Sequence, residues 1–278
     1  MRIRVNGVSL FFEVEGTKLV QQGSALVPRP TVVAIHGGPG VDHATYRPVL
    51  SLLASAAQVI YLDLRGNGRS ERSSPDYWNL ETWADDVRAF CDALEIEAPI
   101  VLGTSFGGFV AQAYATRYPS HPGRLILCST NARFHLERCL AMFERVGGSV
   151  AMETARAFFT MVTPDRLQRY IDICLPFYGR LPVETPCPAP IAQLDVAQHF
   201  VRGEWHTFDF TRALARICCP TLVLAGAHDP VLPIEGAEEL VACIPPGLAT
   251  LERFEDCAHN LLFEQPRRAI AAIAAFIA

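Results

Sequence analysis

Short apolar runs alternate with amphipathic segments along most of this chain. Residues 3–5 and 9–14 flank Asn6-Gly7 and predict an N-terminal hairpin, followed by a polar loop with glycine and proline. From residue 31 the pattern becomes strand, loop, helix. The predicted strands are 31–35, 59–62, 100–102, 125–128, 221–225 and 249–254. This alternation predicts an α/β fold with a mostly parallel sheet and helices on both faces.

The strand pattern is interrupted between Cys128 and Thr221. Helical spacing of apolar residues predicts helices at 136–146, 152–162 and 165–174, whereas residues 181–190 are broken by prolines. We predict that residues 1–130 and 216–278 form the core domain and that residues 131–215 form an inserted helical cap. An insertion at this point lies over the carboxyl ends of the strands, where α/β folds bind ligands, so the cap should shape the substrate pocket.

The pentapeptide Gly103-Thr104-Ser105-Phe106-Gly107 lies where a predicted buried strand becomes a helix. So tight a turn strains the serine backbone and leaves little room for side chains at 103 and 107. This context is typical of a nucleophile elbow and disfavours the simpler interpretation, a Gly/Ser loop. Because a serine hydroxyl is a weak nucleophile at neutral pH, the elbow predicts a histidine base and an orienting carboxylate downstream.

Two later strands end beside residues that can complete such a site. Asp229 follows the strand at 221–225 and is the candidate carboxylate, while His259 follows the strand at 249–254 and is the candidate base. His228 is a weaker base because adjacent strand-end residues tend to point apart. A turn-forming role for Asp229 and a structural role for His259 are the simpler alternatives. Glu255 and Asp256 share the loop of His259 and are expected to be solvated.

A tetrahedral intermediate also needs backbone N–H donors directed at its oxyanion. Phe106, the residue after the nucleophile, should provide one, and Gly38 in the loop 36–40 is favoured over Gly37 for the other. We expect His36 to hold this loop by hydrogen bonds rather than to act as a base. In the loop at 63–70, charged side chains could touch substrate, but pairing around a glycine-bent loop is the favoured interpretation.

Composition limits the classes of function. The chain has 278 residues, of which 50% are hydrophobic, enough for one sizeable α/β domain with an insertion. A net charge of -5 without a basic stripe argues against nucleic acid or an anionic membrane as the binding partner, so we expect a small-molecule substrate.

We see no signal-peptide or membrane-span pattern and expect a cytoplasmic protein. The 9 cysteines lack paired C-x-x-C spacing, which predicts reduced, mostly buried thiols, no metal and no cofactor.

From residue 31 to the end, except for the predicted cap, these segments resemble the α/β-hydrolase superfamily, in which the order Ser, Asp, His is usual. The loops 36–40 and 63–70 and the elbow look like the proline iminopeptidase branch, whose members cleave N-terminal proline from short peptides. The resemblance implies a triad and an oxyanion hole formed by the residues that the chemistry selects: Ser105, Asp229 and His259, with Gly38 and Phe106.

The resemblance is incomplete at the residue after the serine, and it leaves open which cap residue could bind an amine. Proline iminopeptidases typically have Trp after the serine and bind the free amine of the substrate with glutamates from the cap, whereas Phe106 follows the serine here. The cap residues that could supply such a carboxylate are Glu144, Glu153, Glu184 and Glu204. The Gly107-Gly108 pair also looks like esterases, lactonases and carbon–carbon hydrolases of the same superfamily.

The sequence therefore predicts a cofactor-independent serine hydrolase that cleaves a small, fairly apolar ester or lactone through an acyl-enzyme. The alternative is a proline iminopeptidase, which requires a free α-amine and an acidic cluster in the cap. A third hypothesis is a member of the fold that binds a small ligand without turnover, and such binding would survive Ser105→Ala. Epoxide hydrolases and dehalogenases are disfavoured because their elbow carries Asp in place of Ser105.

Overall fold

The computed structural model describes residues 1–179 and 189–278. Its strands are Arg2–Val5 (β1), Val8–Glu15 (β2), Leu19–Gln22 (β3), Ala25–Pro28 (β4), Thr31–Ile35 (β5), Gln58–Leu62 (β6), Ile100–Thr104 (β7), Arg124–Cys128 (β8), Thr221–Gly226 (β9) and Ala249–Phe254 (β10).

The α-helices in the described ranges are Arg47–Leu50 (α1), Leu80–Ala93 (α2), Phe106–Arg117 (α3), Leu136–Thr160 (α4), Pro164–Ile173 (α5), Leu194–Arg202 (α6), Ile234–Cys243 (α7), Leu261–Glu264 (α8) and Pro266–Ile277 (α9). Short 3₁₀ helices lie at His43–Thr45, Ser51–Ser55, Pro75–Tyr77, Leu175–Tyr178, Glu204–His206 and Ala213–Arg216. None of the helices in these ranges is both long and apolar enough to cross a membrane.

The main sheet has the order β1-β2-β6-β5-β7-β8-β9-β10. The pairs β1–β2 and β2–β6 are antiparallel, and the remaining neighbours are parallel. Parallel strands packed on both faces need nearly continuous apolar sequence, and every residue of β7 is buried. The predicted α/β fold, with its mostly parallel sheet flanked by helices, is therefore confirmed.

Side chains alternate between the two faces of this sheet, as the pleat requires. Val33 and Ile35 of β5 belong to the core cluster that includes α2, α3 and α7. Val32 and Ala34 belong to a second cluster with α1, α8 and α9. The two apolar layers fix the sheet between helices, so that the loops at the carboxyl ends of the parallel strands form one edge of the molecule.

The N-terminal hairpin matches its prediction, with Asn6 and Gly7 at φ of 45° and 78° in the turn. The polar loop predicted after it is wrong in part, because it contains β3 and β4, which pair as a separate two-stranded sheet. These strands are largely exposed. A strand that buries neither face has no reason to alternate apolar with polar residues, so the sequence pattern gave no sign of it.

The helices α4, α5 and α6 lie between β8 and β9, where the strand pattern is interrupted. The two helices predicted at 136–146 and 152–162 are joined as α4, which kinks at Gly148 with φ of 73° and ψ of -174°. The amphipathic helix α6 was not predicted. The domain limits at 130 and 216 stay a prediction, and most of the proline-broken stretch 181–190, with Glu184 and Cys187, lies outside the described residues.

Candidate active site

Ser105 stands between β7 and α3 with φ of 53° and ψ of -117°. This backbone conformation is costly for a residue with a side chain and persists only when the surroundings hold it. Here the Ser105 N–H donates to the carbonyl of Cys128 at 2.9 Å, and the Ser105 carbonyl accepts from the N–H of Gly108 at 2.9 Å. The turn is therefore fixed by the next strand and by the first turn of its own helix.

The glycines of the elbow are required by close backbone contacts. A Cβ atom at Gly103 would overlap the carbonyl of Gly107, and one at Gly107 would overlap the carbonyls of Ile35 and His36. The predicted collision of side chains at 103 and 107 with neighbouring backbone is thus confirmed. Gly108 likewise lies against the side chain of Thr130, which lets α3 approach the loop after β8 closely.

The structure brings Ser105, His259 and Asp229 together in one hydrogen-bonded row. His259 Nε2 lies 3.0 Å from Ser105 Oγ, and His259 Nδ1 lies 2.7 Å from Asp229 Oδ2. All three are buried. Since a carboxylate can only accept from Nδ1–H, Nε2 is left as the acceptor for the serine hydroxyl. This arrangement can remove a proton from Ser105 and hold it on a histidine whose orientation is fixed.

The competing residues lie elsewhere. His228 is exposed, and its backbone N–H bonds the carbonyl of Cys257. Glu255 and Asp256 are exposed too, with Glu255 paired to Arg253. None of these residues takes part in the row of hydrogen bonds at Ser105.

His259 is also held by groups that the sequence did not reveal. Ser129, at φ of 48° after β8, donates its hydroxyl to the His259 carbonyl at 2.7 Å. The ring of Tyr178 meets the imidazole edge-on, with centroids 4.9 Å apart, and the Tyr178 carbonyl accepts from the N–H of Asn260 at 2.7 Å. These contacts join distant segments, so no local motif could have indicated them.

The loop after β5 carries Gly38, which lines the cavity above Ser105 and has φ of 119°. Phe106 begins α3 directly after Ser105, and the N–H of the first residue of a helix has no partner within its own helix. The oxyanion role of Gly38 and Phe106 stays a prediction.

His36 holds this loop by hydrogen bonds, as expected: its Nδ1 lies 2.7 Å from the Gly37 carbonyl, and its Nε2 accepts from the N–H of Leu64. Burial lowers the pKa of His36, so the ring stays neutral.

The loop 63–70 supports the loop after β5. Asp63 is buried and accepts from His43 Nδ1 at 2.6 Å and from the N–H of Arg69 at 2.9 Å. Burial alone would raise the pKa of Asp63, but the hydrogen bond and charge of His43, together with the hydrogen bond from the Arg69 N–H, outweigh it and lower that pKa. Arg65 pairs with Asp86 instead, at 2.7 Å. Asp63 and Arg65 thus pair with neighbouring groups around the glycine-bent loop, which agrees with the favoured interpretation of the sequence.

A cavity of about 340 Å³ opens above the Ser105 hydroxyl, between the strand ends and the helices inserted after β8. Among the described residues that line it, none is Asp, Glu, Lys or Arg. Its apolar wall consists largely of Phe158, Phe159, Leu167, Ile171, Leu175 and Val201.

A larger and more open surface groove, of about 720 Å³, lies between the β1–β2 turn and α2. It is lined by charged residues such as Asp86 and Arg88, and Ser105 is not part of it.

Three of the four glutamates predicted to offer a carboxylate to an amine lie in the described ranges, and none of the three lines the cavity. Glu144 and Glu153 are exposed. Glu204 instead accepts from the backbone N–H of Leu80 at 2.7 Å and so caps α2. Burial raises the pKa of Glu204. Glu184 lies outside the described residues, and residues 1–179 and 189–278 hold no group of His, Cys, Asp and Glu arranged for a metal ion.

Comparisons with known proteins agree with the α/β fold of this chain. The model of the alpha/beta hydrolase fold family matches residues 30–146. The chain is 32% identical to a 2-hydroxymuconate semialdehyde hydrolase of Pseudomonas sp., over 89% of this chain and 86% of the relative. It is 29% identical to a proline iminopeptidase of Pestalotiopsis fici, over 82% of this chain and 85% of the relative.

Solved structures show the same fold along the whole chain. A proline iminopeptidase of Mycobacterium smegmatis superposes with a TM-score of 0.78 at 24% identity, covering 100% of this chain and 97% of the other. A thermophilic esterase of Thermogutta terrifontis superposes with a TM-score of 0.67 at 26% identity, covering 100% and 98%. The similar proteins thus carry several different hydrolase names, and their overall fold does not choose among them.

Proposed function

Because this chain belongs to the α/β-hydrolase fold family, we propose that it is a serine hydrolase that cleaves a small, uncharged ester or lactone through an acyl-enzyme. One observation carries the proposal. The hydrogen-bonded row of Ser105, His259 and Asp229 stands at the floor of a cavity whose described lining residues include no Asp, Glu, Lys or Arg.

The proposed reaction follows the proton along this row. His259 Nε2 takes the proton of Ser105 as Oγ attacks the substrate carbonyl, and Asp229 stabilises the imidazolium that forms. The backbone N–H groups of Gly38 and Phe106 hold the oxyanion of the tetrahedral intermediate. The intermediate collapses, the C–O bond breaks and the alcohol leaves with the proton of His259. Water then attacks the acyl-enzyme by the same route and releases the acid and Ser105.

The charge of the cavity wall supports an uncharged substrate. Moving a carboxylate or an ammonium group into an apolar site costs on the order of several kcal/mol unless a group of opposite charge pairs with it. The described lining residues offer neither Arg or Lys for a carboxylate nor Asp or Glu for an amine. A neutral ester or lactone meets no such penalty in a wall of Phe158, Leu167 and Ile171.

The proline iminopeptidase alternative is favoured by the relative of Pestalotiopsis fici. It requires a carboxylate that reaches the free α-amine. The position of Glu204, whose carboxylate binds the N–H of Leu80, and the exposure of Glu144 and Glu153 count against it. The ester proposal therefore ranks first.

The test compares the wild-type protein with Ser105→Ala on p-nitrophenyl esters of increasing chain length, p-nitrophenyl hemisuccinate and proline β-naphthylamide. We expect hydrolysis of the neutral esters, slower hydrolysis of the anionic hemisuccinate, and a loss of at least about a thousandfold in kcat in Ser105→Ala. Ser55→Ala, at an exposed site, is the matched control.

Each other outcome selects a different hypothesis. Serine-dependent release of naphthylamine from the proline amide at rates above those of the esters would support the iminopeptidase. Tight binding of a small ligand without turnover, unchanged in Ser105→Ala, would support a binding protein. Ester hydrolysis that persists in Ser105→Ala would refute the proposed nucleophile.

A further inference from the structure

Two tyrosines stand in the cavity wall beside the proposed base. Tyr170 belongs to α5, Tyr178 ends the short helix Leu175–Tyr178, and both line the cavity. Their phenolic oxygens lie 2.7 Å apart. Because the Tyr178 ring also meets the ring of His259 at 4.9 Å, this pair is close to the reacting end of the cavity.

The two phenols have more O–H hydrogens than the bond between them uses. Each phenol has one hydrogen to donate, and a bond between two phenols uses only one of the two. Within residues 1–179 and 189–278, the structure gives neither phenol another hydrogen-bond partner. With respect to the described part of the chain, the pair therefore keeps one O–H donor without an acceptor beside the cavity, in a wall that is otherwise mostly apolar.

The surrounding side chains fix the pair in place. Tyr170 stacks on Phe158 with centroids 4.2 Å apart and meets Phe159 edge-on at 5.6 Å. Tyr170 is only 4% exposed. Burial raises the pKa of both phenols well above the ordinary value, so both stay protonated and neutral across the pH range of an esterase assay. A donor held in this way loses little entropy when it binds an acceptor.

We infer that the Tyr170–Tyr178 pair is a substrate subsite that donates a hydrogen bond to a second, uncharged oxygen of the substrate. The substrate class is then a neutral ester or lactone with a keto, ester or ether oxygen away from the scissile bond. This inference rests on the proposed ester hydrolysis. A buried donor favours a substrate that satisfies it over an analogue that leaves it unpaired, because the unpaired group pays the cost of lost hydration.

The test uses pairs of esters that differ only in that oxygen. p-Nitrophenyl 4-oxopentanoate, 5-oxohexanoate and 6-oxoheptanoate are each compared with the ester in which a methyl branch replaces the oxo group, and matching pairs carry the oxo group in the alcohol. We expect a preference of about tenfold in kcat/KM for at least one oxo ester in the wild-type protein.

The variants give a pattern that a merely structural role would not produce. Tyr170→Phe and Tyr178→Phe each leave one phenol with its hydrogen, so either one should keep part of the preference. The double variant has no donor and should hydrolyse the members of each pair equally well. Tyr118→Phe, which removes a phenol bonded to Asp85 outside the cavity, is the control and should keep the full preference.

Failure of this inference is distinguishable from failure of the proposed function. Serine-dependent hydrolysis with no oxo preference in any pair, or a preference that survives in the folded double variant, overturns the subsite alone. Absence of turnover overturns the proposed function. In that case, calorimetric titration of Ser105→Ala with methyl oxo esters and their branched analogues still tests the subsite, since equal affinities would refute it.

Discussion

Asp229 uses its two carboxylate oxygens for different purposes. Oδ1 accepts from the backbone N–H groups of Val231 and Leu232, each at 2.9 Å, while Oδ2 faces His259 Nδ1. The first oxygen fixes the carboxylate in the turn after β9, and the second orients the imidazole. The position thus combines the turn-forming role and the proposed catalytic role, which are alternatives only when judged from sequence.

Replacing Asp229 by Asn separates these roles. The amide oxygen can still accept from the turn, but its NH2 group then faces Nδ1 and favours the wrong tautomer of His259. In Asp229→Asn we expect kcat to fall by about 10⁴, as in other triads, with little change in the free energy of unfolding. Steady-state kinetics and urea unfolding measure the two effects. Asp256→Asn, in the exposed part of the His259 loop, is the control. A loss in kcat of less than tenfold in Asp229→Asn would refute the proposed triad.

At the scale of elements, the loop after β5 is held from two sides. Asn67, which is buried, accepts from the N–H of Gly40 at 2.8 Å and donates to the carbonyl of Arg65 at 2.8 Å. From the inserted segment, Gln193 donates its N–H to the Gly40 carbonyl at 2.6 Å. Arg72 in turn binds the Gln193 side chain. The proposed oxyanion donor Gly38 therefore depends on contacts between core loops and the start of α6.

Asn67→Ala tests this dependence. The substitution leaves the Gly40 N–H without a partner and leaves the Arg65 carbonyl with only the indole N–H of Trp83, which should lower the free energy of unfolding by about 1–3 kcal/mol. Because the loop that carries the proposed oxyanion donor Gly38 loses its support, kcat should also fall by about tenfold at a temperature where the variant is folded. Kinetics and thermal unfolding are measured together.

Asn79→Ala provides the comparison for that prediction. Asn79 caps α2 by accepting from the N–H of Thr82, and its loss should lower the free energy of unfolding by about 1 kcal/mol without affecting the loop after β5. If both alanine variants lowered kcat equally, loss of stability alone would explain the effect and the proposed support role of Asn67 would be wrong.

At the scale of the whole molecule, one buried network ties three parts of the chain together. His43, after β5, binds Asp63, after β6, and its Nε2 lies 3.3 Å from Glu13 of β2. Burial alone would lower the pKa of His43, but the hydrogen bonds and negative charge of Asp63 and Glu13 outweigh it and raise that pKa. The network therefore makes stability depend on pH.

The direction of this dependence follows from linkage. The stabilisation from His43 is complete below its unfolded pKa of about 6.5 and is lost as pH rises through its raised folded value. The stabilisation from Asp63, whose pKa is lowered, is present above its unfolded value of about 3.9 and is lost as pH falls through the folded value. Both contributions coexist between about pH 4 and pH 6.5.

Accordingly, the difference in the free energy of unfolding between the wild-type protein and His43→Gln should be greater at about pH 6 than at about pH 9. Urea unfolding at the two pH values measures it. His228→Gln, at an exposed position, should show almost no difference from the wild type at either pH. An unchanged or larger difference for His43→Gln at pH 9 would contradict the raised pKa of His43.

The sequence by itself determined the class of fold and the residues that the structure brings to Ser105. The main strands could be predicted because burial on both faces imposes apolar runs that are visible locally. Asp229 and His259 could be selected because residues just beyond the carboxyl ends of parallel strands meet at one edge of a sheet. The elbow glycines follow from backbone sterics within a few residues, which is again local information.

Only the tertiary structure decided what surrounds these residues. It paired Glu204 with Leu80, 124 positions away in sequence, rather than with a substrate amine, and it set Tyr178 against His259. It also formed β3 and β4, which bury too little to leave a pattern. Such contacts depend on how the inserted helices pack over the strand ends, and an amphipathic pattern specifies which face of a helix is buried but not which distant side chain that face meets.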